Sequence, residues 1–137
     1  MNVLLVEDDG GIRDLISTVL TRVGIQHDTA VDGRSAIQRL RTKSYSALLL
    51  DLMLPDWNGF EVMRELRAIS PAMLRRTIVI TAASESTLRD FDPKQVFAVL
   101  RKPFDLDELL RTLEQCASTS PGYHESAKRS YSLRAIR

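Results

Sequence analysis

Four short runs of almost uninterrupted apolar residues constrain this 137-residue chain more than any other feature: residues 3–6 (VLLV), 47–50 (ALLL), 78–80 (IVI) and 96–100 (VFAVL). A strand with one wet face alternates apolar and polar positions. Runs without that alternation suit strands covered on both faces, as in a parallel sheet between helices. A fifth run, residues 25–31 (IQHDTAV), mixes polar and apolar positions and reads as an edge strand.

Helical stripes lie between the strands. Ile12, Leu15, Ile16, Val19, Leu20 and Val23 follow the i, i+3, i+4, i+7 spacing, with Gly24 as the stop. Ala36, Ile37 and Leu40 follow Asp32, a candidate N-cap. Phe60, Met63, Leu66 and Ile69 follow an Asn58–Glu61 start signal and end at Ser70-Pro71. Leu106, Leu109, Leu110 and Leu113 form the last stripe, with Asp105 and Glu108 at its start. Between the fourth and fifth strands, residues 84–92 offer only Leu88 and Phe91 before Pro93, which predicts a short helix. Repeated strand–helix alternation implies right-handed crossovers and an open α/β sheet. With the polar strand at an edge, the order is 2-1-3-4-5, and ligands belong at the C-terminal ends of strands 1 and 3.

Composition narrows the class. The chain is 44% hydrophobic and 27% charged with a net charge of +1, which suggests neither a polyanion binder nor an acidic tail. A single cysteine, Cys116, excludes an internal disulfide and a cysteine-built zinc site. The N-terminus has no leader pattern, and no window reaches the roughly 18 apolar residues of a membrane span. A soluble cytoplasmic domain without membrane contact is expected. From residue 118 the patterning dissolves, so residues 1–117 are expected to form the domain and 118–137 a linker or disordered tail. That tail holds four basic residues against one acid, so the whole-chain +1 hides a body at −2.

The acids of that body converge. Glu7, Asp8 and Asp9 follow the first strand and Asp51 follows the third. Crowded carboxylates repel unless a cation holds them, and Mg²⁺ suits one or two carboxylates, a carbonyl and waters. Asp9 reads as the cap of the first helix; Asp8 and Asp51 read as metal ligands. The fourth strand delivers Thr81 and the fifth Lys102. A hydroxyl and an ammonium beside carboxylates and a metal make a site for a phosphoryl group, which a carboxylate can accept. His27 and His124 lack partner acids, Cys116 reads as a packed small hydrophobe, and Trp57 lies in the loop after Asp51, as a contact surface or half-buried over the third helix. The tail's cations carry no interleaved aromatics for nucleic acid.

The segments VLLVEDD, LLLDLMLPDWNG, IVITA and LRKPF, in this order over residues 1 to about 116, resemble the receiver domain of two-component response regulators. The resemblance implies a flavodoxin-like doubly wound fold and a phosphorylation-dependent signalling switch rather than an enzyme with turnover. It identifies Asp51 as the phosphoacceptor. Asp8 becomes a direct Mg²⁺ ligand, Glu7 a ligand through water, and Met53 the donor of a backbone carbonyl. Thr81 becomes the switch hydroxyl, Lys102 the phosphoryl-binding lysine, and Lys102-Pro103 a cis peptide; Pro55 and Gly59 match the loop after the acceptor. Implied partners are a histidine kinase or histidine phosphotransfer protein and a downstream protein target, with Mg²⁺-dependent self-phosphorylation and dephosphorylation. The chain also departs from the family pattern. Val99 stands where an aromatic switch residue is common, and Pro93 with Lys94-Gln95-Val96-Phe97-Ala98 alters a surface often used to dimerise, so a monomer or weak dimer is expected. Against a dehalogenase-type phosphatase, Met53 stands where a second aspartate is needed; against a nucleotide or flavin domain, the loop EDDGG is acidic and has no GxGxxG. A scaffold that is never phosphorylated is the remaining alternative.

Overall fold

The computed structural model describes residues 1–118. Its elements are β1 (Asn2–Val6), α1 (Gly10–Arg22), β2 (Gln26–Ala30), α2 (Gly33–Thr42), β3 (Ala47–Asp51), α3 (Gly59–Ile69), α4 (Pro71–Arg75), β4 (Thr77–Thr81), β5 (Ala98–Arg101) and α5 (Leu106–Ala117). The five strands form one parallel sheet in the order β2-β1-β3-β4-β5.

The continuous apolar runs are explained by a sheet with two dry faces. Leu4, Val6, Leu48, Leu50 and Val79 point to one core, packed with Ala36 and Ile37 of α2 and Val62, Met63 and Leu66 of α3. Val3, Leu5, Leu49, Ile78 and Ile80 point to the other, packed with Ile16, Val19 and Leu20 of α1 and Leu109, Leu110 and Leu113 of α5. β2, at the edge, buries Ala30 alone. Cys116 joins the second core, its thiol pushed up to about 11 by burial.

The expected helix starts form as side-chain caps. Asp9 accepts from the Ile12 amide (2.9 Å), Asp32 from Ser35 (2.8 Å), Asn58 from Glu61 (3.0 Å) and Asp105 from Asp107 (2.8 Å). Gly24, with φ of 82°, turns the chain out of α1. His27 lies between the Ser17 hydroxyl (2.6 Å) and the Ile25 carbonyl (3.1 Å), a local tie of the edge strand.

Three details differ from expectation. Ser70-Pro71 ends α3 but also begins α4: Ser70 Oγ accepts from the Met73 amide (3.3 Å), and proline suits a first helical position. The short helix expected over residues 84–92 is a series of turns, followed by a single 3₁₀ turn at Pro93–Gln95. The Ser84 hydroxyl accepts from the Thr87 amide (3.2 Å) and sits 3.0 Å from the Ser86 and Thr87 hydroxyls, so local side-chain bonds compete with helix propagation. Leu88 and Phe91 still pack on the core, Phe91 edge-on to Phe60 with ring centroids 5.9 Å apart. Finally, β5 begins at Ala98 rather than at residue 96, Val96 closing the 3₁₀ turn. The expected tail lies outside the described residues apart from Ser118. Among the described residues no helix is long and apolar enough to cross a membrane.

The edge strand is tied down by charge. Asp28 accepts from Lys43 Nζ (2.8 Å) and Tyr45 Oη (2.7 Å), which hold its carboxyl below its ordinary value of 3.8. A depressed carboxyl stabilises the fold above its unfolded value, and that contribution is lost as pH falls through the folded one. Asp28→Asn is therefore expected to cost about 1 kcal/mol or less at neutral pH, because solvent screens this partly exposed group. Urea midpoints should also depend less on pH below about 4 in the variant than in the wild type; parallel pH curves would reject the assignment.

Candidate functional site

The register of the sheet assembles the site. Val6 pairs with Leu50, so Glu7 and Asp51 emerge side by side from the C-terminal edge of the two central strands. Asp51 pairs with Ile80 and Thr81 with Arg101, which brings Thr81 and Lys102 to the same edge. Each residue is the last of its strand or the next one on. Short spacing errors in any strand would scatter the group.

Glu7 is fully buried and Asp51 is 3% exposed. Lys102 Nζ donates to Glu7 Oε1 (2.7 Å) and to Asp51 Oδ2 (3.0 Å). The other Asp51 oxygen accepts from the Met53 amide (2.9 Å), and Glu7 Oε2 accepts from the Asp9 amide (3.3 Å). Burial, with the neighbouring Asp51 carboxylate, pushes Glu7 up to about 7 against the attraction of Lys102. Burial alone would lower Lys102, but its hydrogen bonds to Glu7 and Asp51 prevail and raise it. Three acids and one ammonium thus share a crevice in which the cationic charge falls short.

Of the residues expected at the site, Glu7, Asp8 and Asp51 come together, with one carboxylate oxygen from each lying within 4.8 Å of the others. The Asp8 carboxylate is exposed to solvent. Hard oxygen donors at this separation fit Mg²⁺, which prefers carboxylates and retains several waters. Asp9 is turned to its capping role. Thr81 is fully buried, and its Oγ1 accepts from the Ala83 amide (2.9 Å), while its carbonyl accepts from the Lys102 amide (2.8 Å). The Met53 side chain is exposed. The Lys102-Pro103 peptide is cis. Val99 lies part-buried against the core of α2 and α3.

Two residues at the site escaped sequence reasoning. Arg13 Nη1 donates to the backbone carbonyls of Glu7 (3.0 Å) and Asp8 (3.3 Å). Its signal was a lone cation in the first turn after three acids. Asp56, in the loop after Asp51, accepts from the Gly33 (2.8 Å) and Arg34 (3.2 Å) amides at the start of α2. Burial would raise Asp56, but those backbone donors prevail and lower it. Trp57 follows, part-buried on the core and packed close to Gly33; no sequence pattern links that loop to a helix more than 20 residues earlier.

This fold and site define a class. The chain belongs to the response regulator receiver domain family, whose sequence model matches residues 3–114. A phosphorylation-dependent signalling switch is the known role of that family. Among curated proteins the chain is similar to the response regulator ArlR of Staphylococcus epidermidis, 32% identical over 88% of this chain and 54% of that protein. It is similar also to the response regulator receiver protein CpdR of Brucella abortus, 32% identical over 82% of this chain and 93% of that protein. The chain thus spans about half the length of ArlR and nearly all of CpdR. Among solved structures it resembles the receiver domain of the sensor histidine kinase PA1611 of Pseudomonas aeruginosa, which has a magnesium ion coordinated in its active-site cleft. That likeness has a TM-score of 0.77 and 29% identity over 86% of this chain and 98% of that one.

Proposed function

We propose that residues 1–117 act as a phosphorylation-dependent switch in which Asp51 accepts a phosphoryl group from a histidine kinase or histidine phosphotransfer partner. The observation that carries this reading is the placement of Lys102 Nζ between the buried carboxylates of Glu7 and Asp51, beside three carboxylate oxygens that fit a divalent ion. In the transfer, an Asp51 oxygen forms a bond to phosphorus as the bond from phosphorus to the donor imidazole nitrogen breaks. The nitrogen leaves with the electron pair. Lys102, already on Asp51 Oδ2, is placed to hold an oxygen of the arriving group.

Asp8 and Asp51 would ligate Mg²⁺ directly, with the Met53 carbonyl, and Glu7 through water. Bound there, the ion neutralises charge on phosphoryl oxygens. Thr81 is the switch. Its hydroxyl, which accepts from the Ala83 amide, keeps its own proton to donate to a phosphoryl oxygen. Making that bond draws the following turns of residues 84–92 inward and changes the surface that a downstream protein reads. Val99 supplies no aromatic ring to that movement. A cytoplasmic monomer or weak dimer completes the reading, and self-phosphorylation and dephosphorylation at Asp51 are part of it.

Incubation with Mg²⁺ and a small phosphodonor such as acetyl phosphate is expected to add one phosphoryl group by intact mass, and Asp51→Asn to add none. Equal uptake by the variant would end the assignment of Asp51. No uptake by the wild type from any donor would favour an unphosphorylated scaffold.

A further inference from the structure

We infer that Arg13 is a positioning residue that sets Asp8, and through it the affinity of the site for a divalent cation; the inference rests on reading Asp8 as a metal ligand. Of the three clustered carboxylates, two are held by contacts to their own oxygens. Glu7 is held by Lys102 and the Asp9 amide, Asp51 by Lys102 and the Met53 amide. Asp8 is exposed, and what the fold fixes for it is the backbone from which its side chain leaves. Both peptides beside it take a bond from one guanidinium, and the second is also held through the Asp9 amide on Glu7. Arg13 Nη1 donates to the Glu7 carbonyl at 3.0 Å and to the Asp8 carbonyl at 3.3 Å.

Those two carbonyls belong to the two peptide planes that flank the Asp8 Cα. A peptide unit is rigid, so holding both planes leaves the two Asp8 dihedrals, and hence the direction of its Cα–Cβ bond toward the cluster, little freedom. Arg13 itself sits on the first turn of α1, half-buried, on an element already capped by Asp9 and packed against the sheet. Arginine suits this task because its planar charged fork loses less freedom per hydrogen bond than a lysine ammonium. Groups that orient metal ligands from outside the coordination sphere typically contribute ten- to hundredfold in affinity.

Charge alone predicts the opposite outcome. A guanidinium near a cation site repels the cation, so removing it would tighten binding. Positioning predicts weaker binding, and the sign separates the two. Calorimetric titration of MgCl₂ into the full chain would compare the wild type with Arg13→Gln, Arg13→Lys and Asp8→Asn. Arg13→Gln is expected to raise the Mg²⁺ dissociation constant by about tenfold or more, and Arg13→Lys to recover only part of that loss. With acetyl phosphate as donor, the Mg²⁺ concentration giving half-maximal phosphorylation should rise by the same factor. The rate at saturating Mg²⁺ should stay within about twofold, as befits a residue that places a ligand rather than touching the phosphoryl group.

Metal-free melting curves report whether each variant is folded. If Asp8→Asn weakens binding while Arg13→Gln binds as tightly as the wild type or tighter, the role of Arg13 is overturned and the site reading stands. Unchanged affinity in Asp8→Asn as well would overturn both. Should Arg13→Gln not fold, Arg13→Lys carries the test, and a wild-type dissociation constant there overturns the inference.

Discussion

Exchanging Lys102 for methionine is expected to lower the stability of the metal-free protein by about 3 kcal/mol near pH 8, and Mg²⁺ is expected to return most of that loss. Methionine preserves much of the apolar stem, so the change is chiefly one of charge. The ammonium sits 2.7 Å from Glu7 and 3.0 Å from Asp51 in a crevice that buries both acids. Removing one partner from a buried ionic group leaves the other charges desolvated and uncompensated, which costs more than the pair was worth. Protonation offers a partial escape, because burial has already pushed Glu7 up to about 7. A carboxyl raised above its unfolded value favours the folded state at low pH, and that advantage disappears as pH rises through the folded value. The gap between variant and wild type should therefore widen from pH 6 to pH 8. Urea unfolding at both pH values, with and without Mg²⁺, tests this. Coincident midpoints without metal would show that Lys102 does not hold the acids together.

The elements that were legible in the sequence are those whose causes are local or periodic. A strand with two dry faces needs apolar residues at consecutive positions, and Leu4 and Leu5 go to opposite cores for that reason. The caps Asp9, Asp32, Asn58 and Asp105 act on amides two or three residues ahead, so each carries its own signature. The convergence of Glu7, Asp8, Asp51, Thr81 and Lys102 was legible because in a parallel sheet the residues that follow neighbouring strands become neighbours, which needs only the strand order. The misses have the reverse character. Ser70-Pro71 has the pattern of a stop, although the same pair caps and opens α4. Leu88 and Phe91 are spaced for a helix and reach the core, but the Ser84 hydroxyl bonds those of Ser86 and Thr87 instead. Arg13 and Asp56 act on backbone atoms, Asp56 across 23 residues, and a backbone target leaves no mark in the sequence.

Gly59→Ala is expected to destabilise the protein by about 2–3 kcal/mol and to weaken Mg²⁺ binding along with it, although helix propensity alone favours alanine by up to about 1 kcal/mol. Gly59 opens α3 directly under the peptide that follows Asp51, and its amide donates to the Leu52 carbonyl at 2.9 Å. A Cβ built there lies 2.5 Å from Leu52 Cδ2, 2.6 Å from Leu52 Cα and 3.0 Å from the Asp51 carbonyl oxygen. The first contact could be relieved by a rotamer change. The other two are with backbone and need either the helix or the Asp51–Leu52 peptide to move. The peptide is the costly one, because the Met53 amide that holds Asp51 Oδ1 is one link further on. Stability and metal affinity should therefore fall together rather than separately. Gly10→Ala makes the control. Its Cβ would meet Arg13 Nη2 at an ordinary 3.6 Å, so the propensity gain at a helix position should leave that variant as stable as the wild type or slightly more so. Urea midpoints and Mg²⁺ titrations of the two variants decide the matter. A Gly59→Ala protein with the stability of Gly10→Ala would mean that α3 shifts freely and that the site is not braced from below.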